Sequence, residues 1–299
     1  MELRVLKYFL TVAREGNITN AANFLHVTQP TISRQLQSLE DELNAQLFER
    51  HQQTITLTNA GMLLRKRAEE ILSIVDKTEE DFTSMGDLVG GTVTIGGGES
   101  SSIKRLTELI AELQAEYPLI HYDLYSGHAN NVAERLDKGL LDFGIFMDPV
   151  DLSKYNYADM RVADTWGVVM RKDCELAKKT AIKKEDLVDL PLILSSQVTQ
   201  QTKNGDTYDE WFGKRFADLN VVATFNLVYT AAQFVAQGIG YMITFDKLVD
   251  VSSESPLCFR PLEPLAKSKL YIAWKKYPVF SPAAEVLFKK IQATFASKA

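Results

Sequence analysis

A segment near the N-terminus, residues 28–38, combines hydrogen-bonding side chains with a single cation, Arg34. Glutamine can pair with adenine, arginine with guanine or phosphate, and serine and threonine with either. No acidic residue lies between Gly16 and Leu39, so the surface would not repel a phosphate backbone. The alternative is an ordinary solvated helix face. The predicted DNA contacts are Thr28, Gln29, Pro30, Thr31, Ser33, Arg34 and Gln37 on this segment, with Arg50, Gln52 and Gln53 further along the chain.

A second candidate site lies where a predicted strand passes through glycines into a helix, over Thr94–Ser102. Ser100, Ser101 and Ser102 would bring hydroxyls to a helix start, where backbone N–H groups attract anions. The glycine spacing approaches the GxGxxG dinucleotide pattern, but Glu99 would face the pyrophosphate and the third glycine is missing. We therefore predict a cradle for a small ligand. The alternative is that the serines only cap the helix.

Polar residues at other predicted strand ends complete the expected rim of this ligand site. Open α/β sheets bind ligands at the carboxyl ends of their strands, so residues that follow those strands should face the serines. The predicted rim residues are Gly127, His128, Phe146, Gln197, Thr199, Asn226 and Tyr229. A plain surface position is the alternative for His128. Because Lys203 is the one cation nearby, we expect a small polar ligand, such as a monocarboxylate, held by neutral donors.

Composition argues against several other kinds of chemistry. Two cysteines, Cys174 and Cys258, cannot make a disulfide framework, although a redox switch stays open for them. The four histidines have no metal-binding spacing, and neither a Walker A stretch nor a GxSxG motif is present, so no metal, no cofactor and no enzyme activity are expected. The absence of a secretory signal and of any apolar run near 20 residues predicts a cytoplasmic location.

Three short helices are predicted to position residues 28–38. Apolar residues from Leu3 to Ala13 recur at helical spacing and stop at Gly16, Thr19 can cap a second helix, and Thr28 with Pro30 can open a third. The buried stripe of the third helix is Ile32, Leu36, Leu39 and Leu43. Such an arrangement is a helix-turn-helix. The alternating residues 54–58 then predict a small hairpin, or wing, with a polar tip.

A long helix from about residue 59 to 86 is predicted next, because neither Pro nor Gly interrupts residues 62–85. One face repeats apolar residues at steps of three and four. Nothing within the same domain is expected to cover this stripe, so a second chain is the predicted partner; packing on the chain's own C-terminal domain is the alternative. The predicted dimerisation residues are Leu64, Ala68, Ile71, Leu72, Val75 and Phe82.

The N-terminal region resembles the DNA-binding domain of LysR-type transcriptional regulators. The resemblance rests on five blocks in the correct order: LRVLKYF at 3–9, AANFLHVTQPTISRQL at 21–36, LEDEL at 39–43, LFER at 47–50 and LTNAG at 57–61. It implies a winged helix-turn-helix, a linker helix that dimerises, an effector-binding domain and a dimer of dimers. The wing tip HQQ at 51–53 departs from the family by lacking arginine, which leaves Arg34 and Arg50 as the expected phosphate anchors.

Beyond residue 88, strand-like and helix-like segments alternate, which predicts parallel sheets flanked by helices. The resemblance extends here through DFGI at 142–145 and VAQGIGY at 235–241, and implies an α/β domain of the periplasmic-binding-protein-like type 2 fold with two lobes. The expected domains are a winged helix-turn-helix at 1–58, a linker helix at 59–88 and a regulatory domain at 89–299. Its first lobe would span about 92–163 and 268–299, and its second lobe about 164–267.

The sequence is therefore interpreted as a homo-oligomeric, DNA-binding transcription regulator whose activity responds to a small-molecule effector. Two other classes stay open: a small-molecule binding or transport protein without a DNA role, and an enzyme built on the α/β region. The winged motif and the missing nucleophile–base pair count against them.

Overall fold

The computed structural model describes residues 1–50, 54–83, 89–196 and 219–295. Contacts divide the chain into two units, Met1–Thr83 and Ser84–Ala299. The predicted wing tip at 51–53 and a helix-like stretch at 207–216 lie outside the described residues. Within those ranges, no helix is long and apolar enough to cross a membrane.

The N-terminal unit is a helix-turn-helix followed by a wing and a long helix. Its elements are α1 (Leu3–Glu15), α2 (Ile18–Phe24), α3 (Gln29–Leu43), β1 (Phe48–Arg50), β2 (Ile55–Leu57) and α4 (Asn59–Thr83). α1 ends at Gly16 in the left-handed conformation with φ +61°, as its sequence predicts. The expected cap of α2 was wrong: the side chain of Asn17, and not Thr19, accepts the backbone N–H groups of Thr19 and Asn20.

The core of this unit lies where α1, α3 and the wing meet. Phe9 and Ile32 are fully buried, and the Phe9 ring lies 5.1 Å from that of Phe48 on β1. Leu36 and Leu39 continue the buried stripe of α3. Burial of this stripe turns the polar face of α3 outward.

The C-terminal unit alternates strands and helices over most of its length. Its elements are β3 (Gly91–Gly97), α5 (Lys104–Glu116), β4 (Ile120–Ser126), α6 (Ala129–Asp137), β5 (Phe143–Met147), β6 (Tyr155–Arg171), β7 (Ile182–Lys183), β8 (Leu192–Ser195), β9 (Val221–Phe225), α7 (Val228–Ala236), β10 (Tyr241–Phe245), β11 (Leu257–Glu263), β12 (Lys267–Lys275) and α8 (Pro282–Phe295).

One long strand, β6, divides this unit into two lobes. The strand order is β4-β3-β5-β12-β6-β10-β8-β9, with β11 also pairing with β6. Up to Thr165, β6 pairs with β12, and from Trp166 it pairs with β10 and β11. Lobe 1 is the part of β6 before this change together with β3, β4, β5, β12 and the helices α5, α6 and α8. Lobe 2 is the part of β6 from Trp166 together with β7–β11 and α7. The expectation of parallel sheets holds for β3–β5, for β8–β10 and for the short pair of β7 with β11. Strands β6 and β12 run antiparallel to their neighbours.

Each lobe has its own apolar core. In lobe 1, Phe143, Leu270 and Ile272 of the sheet pack against Leu287 and Ile291 of α8. Lobe 2 has one core on each sheet face: one includes Val168 and Ile243, and the other packs α7 onto the sheet. Because each lobe is packed independently, the space between them is available for a ligand.

Candidate nucleic-acid interface and ligand cleft

The outward face of α3 presents the side chains that the sequence assigns to DNA. Thr28, Gln29, Pro30, Arg34 and Gln37 are exposed, and Thr31 and Ser33 are half-buried. Neighbours on this face are paired: the hydroxyls of Thr28 and Thr31 lie 2.8 Å apart, Gln29 donates to Ser33 at 2.9 Å, and Gln37 donates to Asp41 at 3.0 Å. These bonds hold the side chains in one row along the helix. Such a row can meet base edges in a major groove.

Arg34 supplies the positive charge of this surface. Its guanidinium has no hydrogen-bond or ion-pair partner within the described part of the chain. A cation at an exposed helix position without an acidic neighbour can bind a guanine edge or a phosphate oxygen. Arg34 therefore meets the electrostatic requirement for contact with DNA.

Glu40 is a functional residue that pattern reasoning missed. From the far end of α3 its Oε1 accepts hydrogen bonds from the backbone N–H groups of Leu47 at 2.7 Å and Phe48 at 3.3 Å. On the other side of the wing, the Ile55 N–H donates to the Gly16 carbonyl at 2.9 Å. Glu40 thus fixes where the wing starts relative to α3. The spacings of seven and eight residues between acceptor and donors match no local capping or helical pattern, so the sequence gives no signal for these bonds.

The wing itself is described only at its base. β1 and β2 pair antiparallel, with Phe48 opposite Leu57 and Arg50 opposite Ile55. Gln52, Gln53 and the side chain of Arg50 lie outside the described residues, so their assignment to DNA stays a prediction.

Helix α4 presents two different apolar faces. Leu64, Ala68 and Leu72 are at most 9% exposed and belong to the core of their own unit, with Ile71 packed beside them. The expectation that nothing in the domain covers this stripe was therefore wrong, because α1 packs against α4. Val75 is half-buried and Phe82 is 69% exposed. Other large apolar residues exposed on α4 are Met62, Leu63 and Ile74.

A cavity of about 270 Å³ lies between the two lobes of the C-terminal unit. Its wall combines residues of both lobes. Lobe 1 contributes residues at the ends of β3, β4 and β5 and at the start of α6: Gly98, Glu99, Tyr125, Ser126, Gly127, His128, Asn131, Met147, Asp148 and Pro149. Lobe 2 contributes Trp166, Ser195, Phe225, Asn226, Leu227, Val228, Ile243, Thr244, Phe245 and Leu248. Most of these positions are at carboxyl ends of strands, as expected for an open α/β sheet.

The serine segment does not face this cavity. Ser100 is 5% exposed, and its hydroxyl donates to the carboxylate of Asp164, which is 1% exposed. The hydroxyls of Ser101 and Ser102 donate to the same carboxylate at 2.9 and 2.7 Å, and the Ser102 N–H does so at 3.2 Å. The Ser102 N–H also donates to the Ser100 hydroxyl at 3.1 Å, so the helix-capping alternative has direct support. These donors bind a carboxylate, but one that belongs to β6.

Among the described residues, hydrogen bonds cross the cleft between the lobes at two places. The Val228 N–H at the start of α7 donates to Glu99 Oε2 at 2.6 Å. His128 Nε2 and the Ser196 hydroxyl lie 2.8 Å apart. The lobes are therefore linked by side chains and a backbone N–H that belong to the cavity wall or to residues next to it.

The remaining predicted rim residues separate into three groups. Gly127, His128 and Asn226 line the cavity. Phe146 does not: strand alternation buries it in a second core of lobe 1, stacked on Tyr155 with ring centroids 6.0 Å apart. Tyr229 is 76% exposed and is not part of the wall. Gln197 and Thr199 lie outside the described residues.

The residues that the structure describes include no group of His, Cys, Asp or Glu arranged to hold a metal ion. Burial raises the pKa of the Cys258 thiol, which lowers the fraction of reactive thiolate. Cys174 is half-buried in the same lobe.

A winged helix-turn-helix joined to a two-lobed α/β unit with a ligand-sized cleft defines a DNA-binding transcription regulator with an effector domain. Two family models match the chain: the helix-turn-helix of bacterial regulatory proteins of the lysR family over residues 3–62, and the LysR substrate binding domain over residues 86–296. The chain belongs to the LysR family of transcriptional regulators. The fold and the function expected from the resemblance are confirmed, and neither the transport nor the enzyme alternative gains support.

Similar proteins cover nearly the whole chain. The HTH-type transcriptional regulator YfeR of Shigella flexneri is 25% identical over 97% of this chain and 93% of its own length. The regulator YybE of Bacillus subtilis is 29% identical over 95% of this chain and 96% of its own length. Among solved structures, the LysR family regulator CbnR has a TM-score of 0.76 at 20% identity, covering 99% of this chain and 100% of CbnR. CbnR complexed with its target DNA has a TM-score of 0.74.

Proposed function

We propose that this chain binds operator DNA as an oligomer in the cytoplasm, with α3 of each protomer in a major groove. The observation that carries the proposal is the row of exposed neutral side chains on α3 around the unpaired cation Arg34. Glu40 holds the wing beside this row, which would set the distance between groove and backbone contacts. The similarity to CbnR complexed with its target DNA supports the same reading.

We further propose that the exposed apolar residues of α4 bind a second protomer. Leu63 and Ile74 are 61% and 41% exposed and lie eleven residues apart, which is three helical turns and therefore one face. Phe82, 69% exposed, lies near the end of the same helix. Covering such residues with an equivalent helix is the ordinary way to stabilise a dimer.

The cleft is proposed as the effector site. A ligand that binds one arrangement of the lobes better than another would shift the population of that arrangement, and with it the preferred spacing of the DNA-binding units. The hydrogen bonds across the cleft from Val228 to Glu99 and between His128 and Ser196 are contacts that such a ligand would change.

The DNA contact is tested by a gel shift with the DNA upstream of the chain's own gene. Arg34→Ala should lose about 1–3 kcal/mol of specific binding at fixed salt, while its melting temperature stays that of the wild type. Arg105→Ala is the control, since Arg105 lies in the C-terminal unit and 42% of its side chain is exposed. Unchanged binding by Arg34→Ala would remove α3 from the interface.

The role of the cleft is tested by filling it. Asn131 is exposed on the first turn of α6 and lines the cavity, so Asn131→Trp should occupy the space without disturbing the core. A reporter on the target promoter is compared across growth media of different carbon and nitrogen source. The wild type and Glu254→Gln, a surface control, should respond to at least one medium and Asn131→Trp to none.

A further inference from the structure

The place where a ligand carboxylate would bind in the cleft is already taken by a side chain. Helix N-termini attract anions because their first N–H groups lack partners and the helix dipole is positive there. At the start of α7 the Val228 N–H donates to the carboxylate of Glu99 at 2.6 Å. Glu99 comes from lobe 1 and α7 from lobe 2, so an incoming anion would have to displace this bond before it could bind.

A second carboxylate adds to the negative charge of the cavity wall. Asp148 follows β5, is half-buried, and accepts a hydrogen bond from the Tyr271 hydroxyl at 3.2 Å. Of the described residues in the wall, none is a lysine or an arginine. The serine hydroxyls that could have bound an anion donate to Asp164 instead. The described wall is therefore better matched to a cation than to an anion.

The apolar part of the wall is aromatic, which also suits a cation. Tyr125, Trp166, Phe225 and Phe245 line the cavity, and the rings of Trp166 and Phe245 lie 4.0 Å apart by their centroids. The faces of such rings attract ammonium groups, most strongly where water is excluded. A ring or short alkyl group on the ligand would fill the remaining apolar space.

We propose that the effector of this cleft is a small molecule with a protonated amine next to an apolar group. The ammonium lies between the carboxylate of Asp148 and the aromatic wall. Glu99 keeps its hydrogen bond to the N–H at the start of α7 and so continues to link the two lobes. This inference rests on the proposed role of the cleft as the effector site, and it replaces the expectation of a carboxylate ligand with a ligand of opposite charge.

The test uses three probes of similar shape and different charge on the full chain: benzylamine, benzyl alcohol and benzoate, measured by calorimetry at pH 7. Benzylamine should bind about tenfold more tightly than the other two, as expected for one charge-assisted hydrogen bond. Asp148→Asn, which keeps an acceptor for Tyr271, should remove this preference for the amine. Glu254→Gln removes an exposed carboxylate elsewhere and should leave it unchanged.

Equal binding of the three probes, tighter binding of benzoate, no binding of benzylamine, or an unchanged preference in Asp148→Asn would each overturn the proposal. Binding of benzoate that Asn131→Trp abolishes would overturn the ligand class and leave the cleft as the effector site. A reporter that still responds in cells with Asn131→Trp would contradict the role of the cleft itself.

Discussion

The hydroxyl of Ser102 donates a 2.7 Å hydrogen bond to Asp164, a residue 62 positions away on the strand that joins the two lobes. Ser100 and Ser101 donate to the same carboxylate, and Asp164 itself is 1% exposed. The glycine–serine segment is therefore anchored to β6 at the point where lobe 1 passes into lobe 2. Because Glu99 directly precedes Ser100, these hydrogen bonds to Asp164 also hold Glu99 at the cleft.

Removing the anchor should destabilise the C-terminal unit. Asp164→Ala would leave three serine hydroxyls, one of them buried and two half-buried, without their common acceptor, and we expect a loss of about 2–3 kcal/mol in the free energy of unfolding. Asp164→Asn keeps one acceptor oxygen and should lose less. Urea unfolding measures both, with the exposed Asp151→Asn as control. An unaltered Asp164→Ala transition would show that these bonds contribute nothing net.

The two faces of α4 should respond differently to the same substitution. Ile74→Asp puts a charge on the exposed face and should weaken self-association by about tenfold or more, with little loss of folding. Leu72→Asp puts the charge in the unit's own core and should unfold that unit instead. Sedimentation and thermal melting of the full chain separate the two effects.

The control for this pair is Ser73→Asp, which adds the same charge between them at an exposed position. It should change neither association nor folding. If Ile74→Asp associates like the wild type, a different surface holds the protomers together.

Alkaline pH should destabilise the C-terminal unit partly through Tyr271. Burial, and then the charge and hydrogen bond of Asp148, raise the pKa of Tyr271 from 10.0 to about 12. Because the pKa of Tyr271 is higher in the folded than in the unfolded chain, its contribution to the free energy of unfolding is complete below pH 10 and is lost as the pH rises toward 12. Tyr271→Phe should therefore flatten the fall in unfolding free energy over this window. Tyr277→Phe, at a position 92% exposed, is the control and should keep the wild-type slope.

Apolar periodicity and capping residues predicted those helices and strands whose bounds depend on residues close in sequence. The stripe Ile32–Leu39 defines α3, Gly16 ends α1 in the left-handed conformation, and β5, β8, β9 and β10 begin and end where their apolar runs do. The first half of β6 was not predicted, because residues 155–163 mix charged and apolar side chains. This half is held in the sheet by β12, whose residues are more than 100 positions further along the chain, so the sequence of 155–163 carries no periodic strand signal.

The site was harder to predict than the fold, because its contacts join distant parts of the chain. The serines were identified as donors, but their partner Asp164 could not be identified from spacing. The stripe of α4 was identified as buried, but α1 of the same unit covers it. The strand that contains Phe146 was predicted correctly, but its side chain was expected to face the ligand site and instead lies in the core. Met147, the next residue, points to the opposite face of the sheet and lines the cavity.

Gly240 should not tolerate a side chain, because the backbone of Pro191 in lobe 2 lies too close to it. A Cβ at this position would lie 2.5 Å from the Pro191 carbonyl oxygen and 3.2 Å from Cγ1 of Ile193. That oxygen cannot move away freely, since it accepts the Tyr241 N–H at 2.8 Å as β10 joins β8. Gly240→Ala should therefore lower the unfolding free energy by about 1–3 kcal/mol.

Gly98→Ala provides the comparison, because its Cβ would meet only the terminal methyl of Met147 at 2.9 Å and, at an ordinary 3.8 Å, the Gly127 carbonyl. A flexible methionine end can shift at little cost, so this variant should melt within a few degrees of the wild type. Thermal melting of both variants, monitored by circular dichroism, gives the difference directly. Equal melting temperatures would mean that the β8–β10 junction relaxes around the added methyl group, and that the close approach at Gly240 is not what requires glycine there.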